Sequence, residues 1–189
     1  RGRPAREAGA QVLAVINGSP YDTEHLDGRE AACRERCGEQ GLPILFCNLV
    51  GGQDEIVYDG QSFVMDGKGE VVQRLPGFVE ATAVVEFEGA TPRPVRYNRP
   101  QGRVADVYAA LVLAVKDYIN KNRFPGIVLG LSGGIDSAVV LAIAVDALGR
   151  DRVRCVMLPS KFNASISLDD ARSMAGVQGD PRILRVPAV

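Results

Sequence analysis

A chain of 189 residues is long enough for one or two domains with a real hydrophobic core. Its 46% apolar and 24% charged content are ordinary for a globular protein, and a net charge of −1 creates no overall field to gather nucleic acid or an anionic membrane. No apolar run approaches the roughly 20 residues a bilayer span needs. The opening "RGRPAREAGAQ" carries charge without an apolar core segment, so it does not read as a secretory signal; it also lacks an initiator Met, and the chain is expected to be clipped.

Taken in chain order, "AQVLAVING" predicts a buried strand ending at Gly18, and "LDGREAACRERCGEQG" a charged helix closed by Gly41. "PILFCNLV" predicts a second buried strand. "EIVYDGQSFVMDGKGEVVQRL" alternates apolar and polar residues between two tight "DG" turns, which predicts two or three antiparallel strands. "ATAVVEFEG" adds another strand. Residues 89–103, "GATPRPVRYNRPQGR", hold three prolines and no periodicity, and read as a linker.

Beyond it, "VADVYAALVLAVKDYINKN" has helical apolar spacing through Val107, Leu111, Val115 and Tyr118. "FPGIVLGL" predicts a strand, "SAVVLAIAVDALG" a helix and "DRVRCVMLP" a further strand. This βαβ run predicts a parallel sheet with helices on its faces. The boundaries expected are a first domain over 1–88, a linker over 89–103 and a second domain over 104–189.

The four cysteines, at 33, 37, 47 and 155, fall in no disulfide or zinc spacing. Cys33 and Cys37 read as a reduced helical pair, and Cys47 as a small apolar residue packed in its strand. A reducing, cytoplasmic compartment is the expectation.

The chemistry concentrates at "GLSGGIDS", residues 130–137. A strand passing into a helix through small residues leaves backbone N–H groups pointing outward at the positive end of the helix dipole, a site suited to phosphate. Gly133 and Gly134 permit close approach and unusual backbone angles. Ser132 and Ser137 add hydroxyls. Asp136 beside a phosphate cradle makes sense with a cation between them, which assigns it to Mg²⁺. The Walker lysine is missing, so ordinary γ-phosphoryl transfer loses support.

"SGGIDS" resembles the pyrophosphatase-type ATP loop, S-G-G-x-D-S, of enzymes that adenylate a substrate. "VYAALVLAVKDYINKNRFPGIVLGLSGGIDSAVVLAIAVDALG" resembles the NAD synthetases along its whole length. "VMLPSKFNASISLDDARSMA" is similar to that family's second ATP-side segment. There Ser165 and Ser167 read either as helix caps or as nucleotide contacts, and Lys161 as facing either phosphate or solvent. "INGSPY" and "LPILFCNLVGGQDEIVYDGQSFVMDGKG" resemble the nitrilase-type glutamine amidase domain fused to glutamine-dependent NAD synthetases.

The resemblance implies an α/β fold: the later part of a nitrilase-like αββα sandwich, then the start of a doubly wound parallel-sheet domain. It implies ATP contacts from Gly130, Leu131, Ser132, Gly133, Gly134, Ile135, Asp136 and Ser137, with Mg²⁺ held by Asp136. It points to Ser19 for glutamine binding, and to His25 at a position usually Lys or Arg. Arg29 matches another recurrent position, with a helix-surface arginine as the alternative. Residues 51–55, "GGQDE", shape the amidase pocket or form a turn. The family's Glu–Lys–Cys triad lies upstream of Arg1, so no catalytic residue of the amidase is expected in this chain.

The implied reaction is glutamine-dependent NAD(+) synthesis by a ligase acting on small molecules, in a parent that forms homo-oligomers. The rivals are another acceptor for the same loop, such as a tRNA base or a purine nucleotide, and a non-catalytic ATP-binding remnant.

Overall fold

The computed structural model describes residues 3–23, 25–95, 97, 102–157, 165–177 and 182–185. Two compact units emerge: Arg1–Gly51 with Glu55–Ala110, and Gly52–Asp54 with Leu111–Val189.

In chain order the first unit opens with a short helix α1 (Arg3–Glu7), then β1 (Leu13–Asn17), α2 (His25–Gln40) and β2 (Ile44–Asn48). The α2 crossover lets β2 pair parallel to β1, Leu13 opposite Ile44 and Asn17 opposite Asn48. After β3 (Val50–Gln53) and β4 (Ile56–Asp59), which pair with each other, β5 (Phe63–Met65) runs antiparallel to β2. β6 (Val71–Arg74) completes a four-stranded sheet of order β1-β2-β5-β6. Of the two or three antiparallel strands expected here, β5 and β6 pair together, while β4 takes β3.

The helix α2 is charged along most of its length. Its buried positions are Arg29, Cys33, Cys37 and Gln40, spaced 4, 4 and 3 residues apart, which is one face of an α-helix. That face packs on Ile44, Phe46, Phe63 and Met65 of the sheet, with Leu13, Val15 and Val71 at its margin. Phe46 and Phe63, paired across β2 and β5, stack with centroids 4.9 Å apart.

Cys33 and Cys37 are free and buried, as a reduced helical pair should be. Cys47 lies in a strand as expected, but it is exposed: strand alternation turns Phe46 toward α2 and Cys47 to the other face.

The strand expected over 81–89 shrinks to β7 (Phe87–Glu88), paired with β8 (Thr91–Pro92) inside the stretch read as a linker. That stretch is tied down further by Val95 N–H donating to Val72 O at 2.9 Å.

The helix α3 (Arg103–Lys121) leads to β9 (Ile127–Gly130), α4 (Ile135–Leu148), β10 (Val153–Met157), α5 (Ser165–Val177) and β11 (Arg182–Arg185). All strand pairings here are parallel, in the order β11-β10-β9. Ile127, Leu129 and Leu131 alternate onto one face with Val153, Cys155 and Met157, where Leu141 and Ala144 of α4 and Ala171 of α5 cover them. Successive βα units with helices on one face form half of a doubly wound sheet, and ligands of such sheets sit at the carboxyl ends of the strands. Close packing shows at Gly126, where a Cβ would come within 2.2 Å of Arg152 O.

Candidate functional site

The turn between β9 and α4 stands at the carboxyl end of β9. Leu131 extends the ladder, its N–H donating to Val156 O at 3.0 Å, and its side chain is 4% exposed in the core. Of the residues expected to meet nucleotide, Leu131 can therefore offer only main chain. Ser132, Gly134, Ile135 and Asp136 are exposed, Gly133 and Ser137 half-buried.

Gly133 has φ +86°, a conformation that costs L-residues with a Cβ. Gly134 is the N-cap of α4 and supplies no side-chain cap. The serines instead tie the turn together, leaving the first-turn N–H groups of α4 without a side-chain cap. Ser137 Oγ donates to Gly134 O at 2.9 Å and accepts from Ser132 N–H at 3.3 Å; Ser132 Oγ accepts from Gly134 N–H at 3.3 Å.

The result is a tight, small-residue turn whose exposed rim carries hydroxyls, helix-terminal N–H groups and one carboxylate. Such a rim can hold an anion. Asp136 stands in the first turn of α4. Among the described residues no group of three or more His, Cys, Asp or Glu side chains is placed to hold a metal. That lone carboxylate suits Mg²⁺, which binds through one or two carboxylates and completes its shell with phosphate oxygens and water.

Lys161 lies outside the described residues. The helix α5 begins at Ser165, earlier than a cap at Ser167 would need, and neither serine's side chain is among those described.

In the first unit, Ser19 follows β1 and is held on every polar atom but its hydroxyl hydrogen. Its N–H donates to Asn48 Oδ1 at 2.8 Å, its carbonyl accepts from Asn48 Nδ2 and Arg29 Nη2, each at 3.1 Å, and its Oγ accepts from Arg29 Nε at 3.0 Å. Arg29 also donates from Nη2 to Pro20 O at 2.7 Å, and from Nη1 to both oxygens of Asp59, at 2.8 and 2.9 Å. Arg29 is 9% exposed and Asp59 1%, so the surface-arginine alternative is overturned: the helical stripe with Cys33 and Cys37 carries Arg29 inward, where Asp59 neutralises it. The sequence signal for this is the 4-4-3 spacing.

Ser19 and Arg29 border a cleft of about 570 Å³ together with Asn17, Cys33 and Gln40. Beside them, burial first and then the Asp106 and Asp59 carboxylates push the Tyr21 phenol up. The side chain of His25 is not among those described. Residues 51–55 form the end of β3 and a turn, with Asp54 at φ +52°. A Cβ at Gly52 would lie 3.3 Å from Ala114 Cα, so the glycine serves a close approach to α3.

A parallel βαβαβ unit with a lysine-free turn after its first strand lacks the Walker lysine and matches the arrangement expected of an ATP-pyrophosphatase-type loop. Residues 107–183 match the family model described as NAD synthase. Over most of its length the chain is also similar to the glutamine-dependent NAD(+) synthetase of Rhodobacter capsulatus, 49% identical over 172 residues, which are 89% of this chain and 31% of that protein. The enzyme of that name from Acinetobacter baylyi is 37% identical over 171 residues, 89% of this chain and 32% of its own length.

Among solved structures, a glutamine-dependent NAD+ synthetase from Acinetobacter baumannii, in complex with adenosine diphosphate, superposes with a TM-score of 0.89 at 36% identity, covering 97% of this chain and 35% of that one. One from Cytophaga hutchinsonii shares the fold at TM-score 0.73 and 17% identity, covering 95% of this chain and 36% of that one. Residues 107–183 thus match the NAD synthase model, and the chain is similar along most of its length to glutamine-dependent NAD(+) synthetases while spanning about a third of theirs. The expected α/β fold is theirs. Among the described residues no helix is long and apolar enough to cross a membrane.

Proposed function

We propose that this chain serves glutamine-dependent NAD(+) synthesis, supplying the ATP-side turn and part of the glutamine-binding side of a C–N bond-forming ligase. The observation that supports this most is the turn at Ser132–Ser137: exposed, built on a left-handed Gly133, and without lysine.

In the proposed reaction an oxygen of the nicotinate carboxylate of deamido-NAD attacks the α-phosphorus of ATP, the bond to the diphosphate breaks, and the carboxylate becomes an acyl adenylate. Ammonia then adds at the acyl carbon and AMP leaves, giving the amide. Adenylation is required because a free carboxylate is a poor electrophile and offers no good leaving group.

The residues 130–137 bind and orient the departing diphosphate. Gly130 and Leu131 contribute main chain, Gly133 and Gly134 leave room, the N–H groups entering α4 face the anion, and the Ser132 and Ser137 hydroxyls brace the turn. Asp136 would hold Mg²⁺, which when bound neutralises charge on the separating diphosphate.

On the amidase side, Ser19 and His25 are the proposed glutamine contacts. The thiolate step is assigned to none of the three buried cysteines. Cys33, Cys37 and Cys155 are buried with thiols pushed up, chiefly by burial, the reverse of what a nucleophile needs.

Incubating the purified chain with ATP, Mg²⁺, deamido-NAD and ammonium tests the reading. Formation of AMP and NAD supports it. ATP binding without turnover favours the non-catalytic ATP-binding alternative, and absence of ATP binding overturns the assignment of the turn.

A further inference from the structure

Resting on the proposal that Ser19 contacts glutamine, we infer that Arg29 is a positioning residue that fixes Ser19 as a hydrogen-bond donor toward its ligand. A guanidinium can only donate. With Arg29 Nε 3.0 Å from Ser19 Oγ, the hydroxyl must accept on that side, and its own hydrogen is turned away from Arg29. The same guanidinium holds the two carbonyls that follow, Ser19 O and Pro20 O, from Nη2. Asn48 takes the Ser19 N–H and gives to its carbonyl. Backbone and hydroxyl are thereby fixed together.

Only a planar fork of donors reaches a hydroxyl, two carbonyls and a carboxylate at once; a lysine ammonium in that place would forfeit part of the set. Asp59, with both oxygens on Nη1, supplies the countercharge without which the buried cation would not be tolerated. The arrangement opens on the cleft that Ser19 and Arg29 border.

The test compares the full chain with Ser19→Ala, Arg29→Lys and the double variant by NMR, titrating L-glutamine. Each single variant weakens glutamine binding by about tenfold, and the double variant is no weaker than Ser19→Ala within twofold, because Arg29 acts through Ser19. Fully additive losses overturn the inference.

Amide hydrogen exchange, read without glutamine, is the second arm. Arg29→Lys quickens exchange at Ser19 by about tenfold while Val15 and Phe46 keep their rates. Unchanged exchange at Ser19 overturns the inference whether or not glutamine binds. Faster exchange together with a Ser19→Ala variant that binds glutamine normally upholds the positioning role and removes Ser19 as a glutamine contact. Should Arg29→Lys not fold, Asp59→Asn replaces it, with a rise of about threefold expected at Ser19 and an unchanged rate again overturning the inference.

Discussion

Ser132 Oγ and Ser137 Oγ lie 3.1 Å apart across the turn from β9 into α4. Ser137 has one hydroxyl hydrogen, and its contact with Gly134 O uses it. Ser132 is therefore the donor between the two serines. The hydroxyls form a chain, Ser132 to Ser137 to the Gly134 carbonyl, that ties the loop to the start of α4. Ser137→Ala removes the link to the cap carbonyl, and is expected to lower stability by about 1 kcal/mol. Ser132→Ala, which spares that link, should cost less in the same denaturant titration. Both variants should weaken ATP binding by calorimetry; a Ser137→Ala chain binding ATP at full strength would remove the hydroxyl from the proposed cradle.

Two glycines of this turn differ in what they demand. Gly133 sits at φ +86°, whereas a Cβ on Gly130 meets nothing within 4 Å. Gly133→Ala should cost about 1–2 kcal/mol, and Gly130→Ala stay within about 0.5 kcal/mol of wild type. Thermal melts of the two variants check the contrast.

The exposure of Asp136 predicts that Asp136→Asn leaves the fold intact, with stability changed by no more than about 0.5 kcal/mol. Nucleotide affinity should fall in the presence of Mg²⁺ and change little in EDTA. Equal losses in both conditions would mean that the carboxylate acts without the metal.

Burial, then Cys33 and Asp66, push the Cys37 thiol up to about 11 from its ordinary 9.0. A group that holds its proton more tightly when folded makes unfolding release a proton between those two values. Stability is then full below pH 9 and falls as pH climbs from 9 toward 11. Melting temperatures across that window should drop more steeply for wild type than for Cys37→Ala. In the native state at neutral pH, a thiol reagent should label Cys47, the exposed cysteine, and reach the other three only on unfolding.

The run from Ile127 to Met157 was legible because every signal there is local: an apolar strand, two glycines, an apolar helix and a second strand. Where the reading fell short, the missing information lay in a partner. The alternation of residues 81–89 suits a strand, yet Val84 is 81% exposed, and only Phe87 and Glu88 find a neighbour to pair with. Cys47 was correctly placed in a strand; which face it took depended on where α2 docked, and α2 covers the Phe46 side.

Arg29 gives the sharpest division. A 4-4-3 spacing with Cys33, Cys37 and Gln40 is written in the sequence, but a charged residue on such a stripe is ambiguous until its partner is known.

The sequence by itself determined the succession of strands and helices and the small, lysine-free turn at 130–137, since these follow from the order of neighbouring residues. Only the tertiary structure decided that Arg29 goes inside. Its countercharge, Asp59, lies 30 positions away. It becomes available when β4 and β2 bring Asp59 and Asn48 to the end of β1, and burying a guanidinium is tolerable only with that carboxylate in place.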